Sequence, residues 1–394
     1  MVSFKKKIET IMRSNEKQNF FSVGSLLFLL SLGYAGVVQI RNFFYQHGVF
    51  KQKKLPLMVI SIGNLTVGGT GKTPMTIYLA HFICGLGYKV AVISRGYKGS
   101  AEKTGGIVSD GRTVLMDYDT SGDEPFLMAS KLKNVPVLVG QNRFQAGMTA
   151  LEKFTPDVIL LDDAFQHIKL KRDMNLLLLD YSLPFGNTHF LPRGILREPV
   201  SFLSRGDAFI LTRSKAADES EDDGRLQKIK NLVQNKPVFK SFHVPYINKR
   251  VKKKNSILEI VHGSHCPDNF SFLKDHRIYA FSGIARNDAF KHTLEDTGCI
   301  ITDFLEFSDH HIYTLQNIKT IIELSNRLKA EFIITTQKDF SRLPKDVLWP
   351  LELVIFDIKI SFGNDDLEFK EFIKSRIEKF YKNRKTANSN RIKS

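Results

Sequence analysis

The stretch SIGNLTVGGTGKTP, Ser61 to Pro74, decides the fold of this chain. The apolar run that leads into it predicts a buried strand, and the pattern after it predicts a helix from near Lys72. A glycine-rich turn between a strand and a helix lets backbone N–H groups surround phosphate oxygens, and the helix N-terminus adds partial positive charge. In such a loop the lysine reaches the β- and γ-phosphates of a nucleotide, and the hydroxyl of Thr73 is placed to bind Mg²⁺. Thr66 stands where the strict pattern has glycine, so Gly68 and Gly69 supply the flexibility.

Strands and helices alternate after this loop. Further apolar runs of strand length are KVAVISRGY, PVLVG, VILLDD, NLLLLD and DAFILTR. Buried runs of this kind, each followed by turn residues, are typical of an open parallel sheet covered on both faces. We therefore expect an α/β fold with a P-loop NTPase-type parallel sheet, whose ligands bind at the carboxyl ends of the strands.

A second, smaller α/β domain is predicted from RIYAF onwards, at Arg277 to Phe281. Before it, the stretch FKSFHVPYINKRVKKK has an extended, linker-like character. We expect an N-terminal helical segment over residues 1–54, the P-loop domain over 55–240, the second domain with its linker over 241–375, and a basic tail over 376–394.

The N-terminal segment favours a membrane surface. Residues 18–40 carry no charge, and about 20 apolar residues suffice to span a bilayer. Polar residues and glycines interrupt the run, and positive charge lies on both of its sides, which a spanning helix usually avoids. We therefore favour a helix or helical hairpin that lies in the cytoplasmic leaflet of a membrane, with basic residues near lipid phosphates.

The composition excludes some classes of partner. The 394 residues carry a net charge of +16, but the basic runs show neither interleaved aromatic residues nor a zinc-finger spacing. We therefore expect no nucleic-acid partner, and no obligate protein partner is evident. The three cysteines are far apart, which is typical of reduced cytosolic thiols. TRSK after the DAFILTR strand lacks the aspartate of a guanine-reading motif, which favours ATP over GTP.

Three motifs carry candidate carboxylates. VILLDDAFQH ends a strand with Asp162 and Asp163, and the former is the better candidate for Mg²⁺, although an Asx turn would give the same pattern. SGDEP places Asp123 and Glu124 in a tight turn that is either a base for a substrate hydroxyl or a helix cap. FSDHH, at residues 307–311, is either an aspartate–histidine pair or a surface turn.

Arginines follow the strand ends in VGQNR, which contains Arg143, and in LPRGILREP, which contains Arg197. The guanidinium fork suits bidentate recognition of phosphate, while surface arginine is the alternative.

Together these pieces resemble the lipid A 4'-kinases, the tetraacyldisaccharide kinases of Gram-negative bacteria. The matching motifs are GNLTVGGTGKTP, ISRGYKG, GDEP, VGQNR, LLDDAFQH, LPRGILREP and FSDHH, in the order that the family has them. They cover about Leu57 to Tyr313, and the set is far more specific than any one motif. Ala164 stands where many members have glycine.

The resemblance implies that ATP phosphorylates the 4'-hydroxyl of a tetraacyldisaccharide 1-phosphate, the lipid A precursor, at the cytoplasmic face of the inner membrane. It implies Asp123 as the base, assisted by His310 from the second domain, and Lys72 as a catalytic residue. The implied ATP-binding residues are Thr66, Val67, Gly68, Gly69, Thr70, Gly71, Lys72 and Thr73. The implied metal ligands are Thr73, Asp162, Asp163 and Glu198, and the implied substrate-binding residues are Glu124, Arg143 and Arg197.

Two other functions fit parts of the sequence. One is a P-loop ATPase or ligase-like enzyme that acts on a soluble substrate, which gives no reason for the uncharged N-terminal segment. The other is a basic nucleotide-dependent switch that binds nucleic acid, and its binding would weaken steeply as salt rises.

Overall fold

The structure, a computed structural model, describes residues 8, 10–12, 22–214, 224–234, 236–254, 257–262, 270–344 and 347–392. The acidic stretch around Asp218, the basic run Lys5 to Lys7 and Cys266 lie outside these residues. The chain forms two compact units. The first comprises Met1–Phe242 with Ser361–Ser394, and the second comprises His243–Ile360.

Fourteen strands are found in the described residues. Those of the first unit are β1 Met58–Gly63, β2 Val90–Ser94, β3 Gly106–Ser109, β4 Val137–Val139, β5 Val158–Asp162, β6 Met174–Asp180, β7 Ala208–Thr212 and β8 Val238–Lys240. Those that follow are β9 Phe242–Lys254, β10 Ile257–His262, β11 Arg277–Ser282, β12 Ile300–Glu306, β13 Phe332–Thr336 and β14 Glu352–Ser361.

The α-helices alternate with these strands, as the sequence predicts. Over the described residues they are α1 Val23–Gln46, α2 Lys72–Gly85, α3 Tyr118–Ser121, α4 Asp123–Lys131, α5 Arg143–Phe154, α6 Arg225–Val233, α7 Asn287–Glu295, α8 Leu315–Arg327, α9 Gln337–Phe340 and α10 Asp366–Ile392.

The first unit is built on an eight-stranded sheet in the order β3-β4-β2-β5-β1-β6-β7-β8. All neighbours in it are parallel except β3, which runs antiparallel to β4 at one edge. β1 lies between β5 and β6, and all its residues are buried. Successive residues of these strands, such as Leu160 and Leu161 of β5, are buried alike, as expected for parallel strands covered on both faces. The predicted α/β fold is confirmed.

The second unit contains a six-stranded sheet in the order β10-β9-β14-β13-β11-β12. β11 pairs in parallel with β12 and with β13, while β9 and β10 form an antiparallel pair. The stretch expected to be an extended linker is thus the long strand β9, in which Ile247 and Val251 are buried. The sequence of β9 resembles a linker because its apolar residues are spread along a run that is rich in lysine.

The C-terminal helix α10 belongs to the first unit. The second domain was expected to extend to residue 375, whereas the second unit ends at Ile360. Its apolar residues Phe369, Ile373 and Ile377 are fully buried and recur at every fourth position, the spacing of one helical face. Phe369 stacks on Phe362 with 4.0 Å between ring centroids, and meets Phe239 of β8 edge to face at 5.2 Å. The basic residues between them gave the segment the composition of a tail.

Helix α1 has two different faces. Leu27, Ser31, Ala35 and Val38 are buried against the first unit, again three or four positions apart. The opposite face exposes Leu26, Leu29, Leu30, Leu32, Val37 and Ile40 to solvent. By length and composition alone, α1 is apolar enough to cross a membrane.

Replacement of Phe369 by alanine tests the assignment of α10 to the first unit. The change deletes a fully buried ring, so we expect the free energy of unfolding to fall by about 3 to 5 kcal/mol in denaturant titrations. Leu367→Ala on the same helix is the control, because Leu367 is 78% exposed and its loss should change stability by less than about 0.5 kcal/mol. Equal effects of the two changes would contradict this packing.

Candidate active site

The predicted phosphate loop joins β1 to α2. Gly71 is the N-cap of α2 with φ of 84°, a left-handed conformation that favours glycine. No side chain caps this end of the helix, which leaves its first N–H groups to an anion. Thr73, in the first turn, is buried, and Lys72 beside it is half-buried.

One side chain of the loop itself and side chains from two other segments brace the loop. Asn64 Nδ2 donates to Thr70 Oγ1 at 2.9 Å, and Gln166 Nε2 donates to the Asn64 carbonyl at 2.8 Å. Arg213, just after β7, donates to the carbonyl of Gly69 and pairs with Asp180 at the end of β6. The sequence analysis missed the roles of Arg213 and Asp180. Their positions after neighbouring strands were the signal that could have found them.

Asp162 ends β5 beside the loop and is completely buried. Its Oδ1 accepts a hydrogen bond from Thr76 Oγ1 of α2 at 3.0 Å. Among the described residues, no group donates a hydrogen bond to its Oδ2. Burial above all, together with the neighbouring charges of Glu124 and Asp163, raises the pKa of Asp162 to about 7. Nearby Lys72 opposes this rise without cancelling it. A buried carboxylate oxygen without a partner is costly, and such a group commonly serves a ligand.

Asp163 has the opposite environment. Burial alone would raise its pKa, but the charges of Lys72 and Arg197 hold the pKa well below its ordinary value. Arg197 binds it with both terminal nitrogens, at 2.8 Å to Oδ1 and 3.1 Å to Oδ2. Lys72 Nζ lies 3.7 Å from Oδ2. Asp163 is therefore an ionised anchor for two cations, whereas Asp162 gains and loses its proton near neutral pH.

Most of the other predicted residues of the first unit lie close to this pair. Glu124 is near enough for its charge to act on Asp162, and Asp123 precedes it at the start of α4. Gly122 before them has φ of 84°, and a Cβ there would lie 2.7 Å from the Tyr97 carbonyl, so the turn requires glycine. Arg143 starts α5, and burial lowers the pKa of its guanidinium to about 10, an effect that the charges of Asp163 and Asp162 oppose.

Glu198, which the sequence predicts as a metal ligand, is held by two arginines in the structure. Its side chain is fully buried, Oε1 accepts a hydrogen bond from Arg41 at 2.7 Å, and Oε2 pairs with Arg205. Because guanidinium groups hold both oxygens, the carboxylate is committed to an ion-paired cluster. The residue beside it in the motif, Arg197, does reach the site. Although they are adjacent in sequence, Arg197 pairs with Asp163, while Glu198 pairs with Arg41 and Arg205.

The residues present fit Mg²⁺ as a partner of a bound nucleotide. No group of three His, Cys, Asp or Glu side chains in the described parts of the chain could hold a metal by itself. Magnesium in nucleotide enzymes needs only one or two carboxylates, because substrate phosphates and water complete its shell. The partnerless oxygen of Asp162 and the hydroxyl of Thr73 match that requirement.

In the second unit, the FSDHH motif forms a turn after β12. His310 has φ of 62°, its Nε2 lies 3.7 Å from Asp309 Oδ2, and Arg342 Nη2 approaches its Nδ1 at 3.5 Å. His311 is instead stacked on Phe307 with 4.4 Å between ring centroids, and its Nε2 lies 3.0 Å from Asn317 Oδ1. His311 is thus packed on an aromatic ring, while the ring of His310 lies near a carboxylate and a guanidinium group.

Comparison with known proteins decides the family. The family model for the LpxK proteins, tetraacyldisaccharide-1-P 4'-kinases, matches residues 23–378. The chain belongs to this family. The kinase is similar to the tetraacyldisaccharide 4'-kinases of Desulfatibacillum aliphaticivorans, with 42% identity over 96% of this chain and 99% of the relative, and of Pelobacter propionicus, with 40% identity over 85% and 90%. LpxK of Aquifex aeolicus, solved in complex with ATP, superposes with a TM-score of 0.68 at 32% identity over 90% of this chain and all of that one. The predicted enzyme class is confirmed.

The raised pKa of Asp162 predicts that its charge destabilises this kinase. The ordinary pKa of 3.8 is about 7 in the fold, so ionisation costs stability progressively as pH rises between these values, and the full cost applies above pH 7. Asp162→Asn should therefore raise the free energy of unfolding by about 1 to 4 kcal/mol at pH 8, and by little at pH 4, in denaturant titrations without nucleotide. The variant should lose kinase activity.

Asp163→Asn is the matched control for this prediction. It removes the anion from between Lys72 and Arg197, so it should lower the stability at pH 8. The same sign for both variants, or a gain in Asp162→Asn that does not depend on pH, would contradict the assigned charge states.

Proposed function

We propose that this kinase transfers the γ-phosphate of ATP, bound with Mg²⁺, to the 4'-hydroxyl of tetraacyldisaccharide 1-phosphate at the cytoplasmic face of the inner membrane. The observation that carries the nucleotide half of the proposal is the phosphate loop with the partnerless carboxylate oxygen of Asp162 beside it. The lipid half is supported by the family and by the apolar outer face of α1.

Phosphate binding is assigned to the loop residues Thr66 to Thr73. Their N–H groups and the N-terminus of α2 would hold the phosphates, and Lys72 would turn from Asp163 towards the β- and γ-phosphates. Asp163 remains paired to Arg197 when the lysine leaves, so its charge stays compensated. Mg²⁺, held by Asp162 and Thr73, would neutralise the charge that develops on the transferred phosphoryl group.

The acceptor chemistry is assigned to Asp123. The 4'-oxygen attacks the γ-phosphorus, the bond to the β,γ-bridging oxygen breaks, ADP leaves, and the hydroxyl proton passes to the carboxylate. Glu124 and Arg143 lie around the same carboxylates and are proposed to contact the substrates. We also propose a role in turnover for His310, and none for its neighbour His311.

A direct test is transfer of labelled γ-phosphate from ATP to tetraacyldisaccharide 1-phosphate in detergent micelles. Lys72→Ala and Asp123→Ala should each lower kcat by about 100-fold or more, because one holds the transferred group and the other handles the proton. His310→Ala should lower kcat, while the matched His311→Ala should mainly lower stability.

Failure of the test would redirect the assignment. A folded wild type that binds nucleotide but transfers no phosphate to the lipid would rule out the proposed substrate and favour an ATP-dependent enzyme of a soluble substrate. Full activity of Asp123→Ala would rule out its role as the base.

Attachment to the membrane is proposed to depend on the outer face of α1. The triple change Leu26→Ser, Leu29→Ser and Leu30→Ser removes apolar area worth roughly 2 kcal/mol per leucine, so flotation with vesicles of bacterial phospholipid should fall more than tenfold. Leu232→Ser, at a comparably exposed leucine of α6, is the control and should float as the wild type does. Unchanged flotation of the triple variant would contradict this assignment.

A further inference from the structure

One segment, residues 195–205, touches both the phosphate loop and the apolar helix. On the loop side it pairs through the backbone with the first residues of the loop. The N–H of Val67 donates to the Ile195 carbonyl at 2.8 Å, and the N–H of Arg197 donates to the Leu65 carbonyl at 2.7 Å. Thr66 and Leu196 form an antiparallel bridge between these bonds. The first part of the loop, Leu65 to Val67, is therefore held by residues 195–197.

On the helix side the same segment is held by polar residues of α1. Tyr34 Oη donates to the carbonyl of Arg197 at 3.0 Å. Arg41 donates to Glu198, and Asn42 Oδ1 accepts from Arg205 at 3.3 Å. Tyr34 and, about two helical turns further on, the adjacent residues Arg41 and Asn42 thus contact the segment that holds the loop.

The cluster at Glu198 makes these contacts costly to lose. Its carboxylate is fully buried between the guanidinium groups of Arg41 and Arg205. Removing one partner of a buried ion pair leaves a charge that water cannot reach, which is strongly unfavourable. Arg205 also lies over the ring of Phe165 at 4.3 Å, two residues beyond Asp163. The cluster consequently touches the turn that carries the site's aspartates as well.

We infer that α1 is a positioning element for the nucleotide site as well as a membrane anchor. The contacts of α1 fix residues 195–205 in place. This segment in turn holds the phosphate loop through backbone hydrogen bonds and holds Arg197 against Asp163. Tyr34, Arg41, Glu198 and Arg205 are the positioning residues. The inference rests on the proposed function in one respect, that the loop binds nucleotide, and it needs no lipid acceptor.

The test measures the loop directly. Hydrogen–deuterium exchange is followed by mass spectrometry on full-length protein in micelles, in peptides that cover Asn64 to Lys72, together with ATP affinity. Tyr34→Phe deletes a single hydroxyl, and Arg41→Met deletes a charge while keeping an aliphatic chain. We expect faster exchange in the loop peptides and a rise in the dissociation constant of ATP of about three- to tenfold in each variant.

Two further variants separate positioning from a general loss of stability. Gln39→Ala changes an exposed residue of the same helix and should leave loop exchange and ATP affinity unchanged. Arg41→Lys restores the charge and should recover part of the ATP affinity lost in Arg41→Met. Peptides from β2 and β7 should exchange at the wild-type rate in every variant.

Unchanged loop exchange and unchanged ATP affinity in both Tyr34→Phe and Arg41→Met would overturn the inference. Faster exchange in all peptides would overturn it too, since that result reports loosening of the whole unit. The outcome is independent of the acceptor, because no lipid is phosphorylated in this experiment. A wild type that fails to phosphorylate the lipid while the variants loosen the loop would leave the inference standing and remove only the proposed substrate.

Discussion

The carboxylate of Asp162 lies at a position where its charge does not stabilise the fold. It ends a fully buried strand, one oxygen has a single hydroxyl donor, and no described group pairs with the other. Water would solvate this group better than the protein does, so the fold carries a free-energy cost at that position. Much of the surrounding structure limits that cost. Lys72 lies near both aspartates and opposes the rise in the pKa of Asp162, and Arg197 pairs with the second negative charge, that of Asp163. A cation bound together with a nucleotide would supply the partner that the second oxygen of Asp162 lacks.

Arginine has a structural part in this arrangement. The net charge of +16 suggested a basic surface, yet several guanidinium groups point inwards and bind loops. Arg172 donates to the carbonyls of Ala164 and Phe165 at 3.0 Å each, next to the aspartate pair. Arg213 binds the phosphate loop, and Arg205 binds Glu198. A rigid fork with several donors can hold carbonyl groups that no neighbouring strand reaches. Loops that must keep a shape suited to phosphate thus obtain it from side chains distant in sequence.

Features that depend on neighbouring residues could be predicted from the sequence, whereas contacts between residues far apart in the sequence could not. The strand before the phosphate loop, the helix after it and the carboxylates at the end of β5 are local patterns, and the structure has them where they were expected. The ion pair of Glu198 could not be predicted because its partner Arg41 lies 157 positions away, and nothing near either residue indicates the pair. The same holds for Tyr34 and the Arg197 carbonyl, 163 positions apart. Motif order identifies which residues matter, but side-chain direction depends on packing between distant segments.

The return of α10 to the first unit has a consequence for synthesis. A ribosome delivers the chain from its N-terminus, so the first eight strands emerge long before residues 361–394. Until then, the aromatic surface around Phe239 and Tyr78 lacks the ring of Phe369 that covers it. The second unit, with its own buried clusters, is complete in sequence before the first. While residues 240–368 are synthesised, nascent chains therefore expose an unfinished apolar surface, which is the kind of surface that chaperones protect.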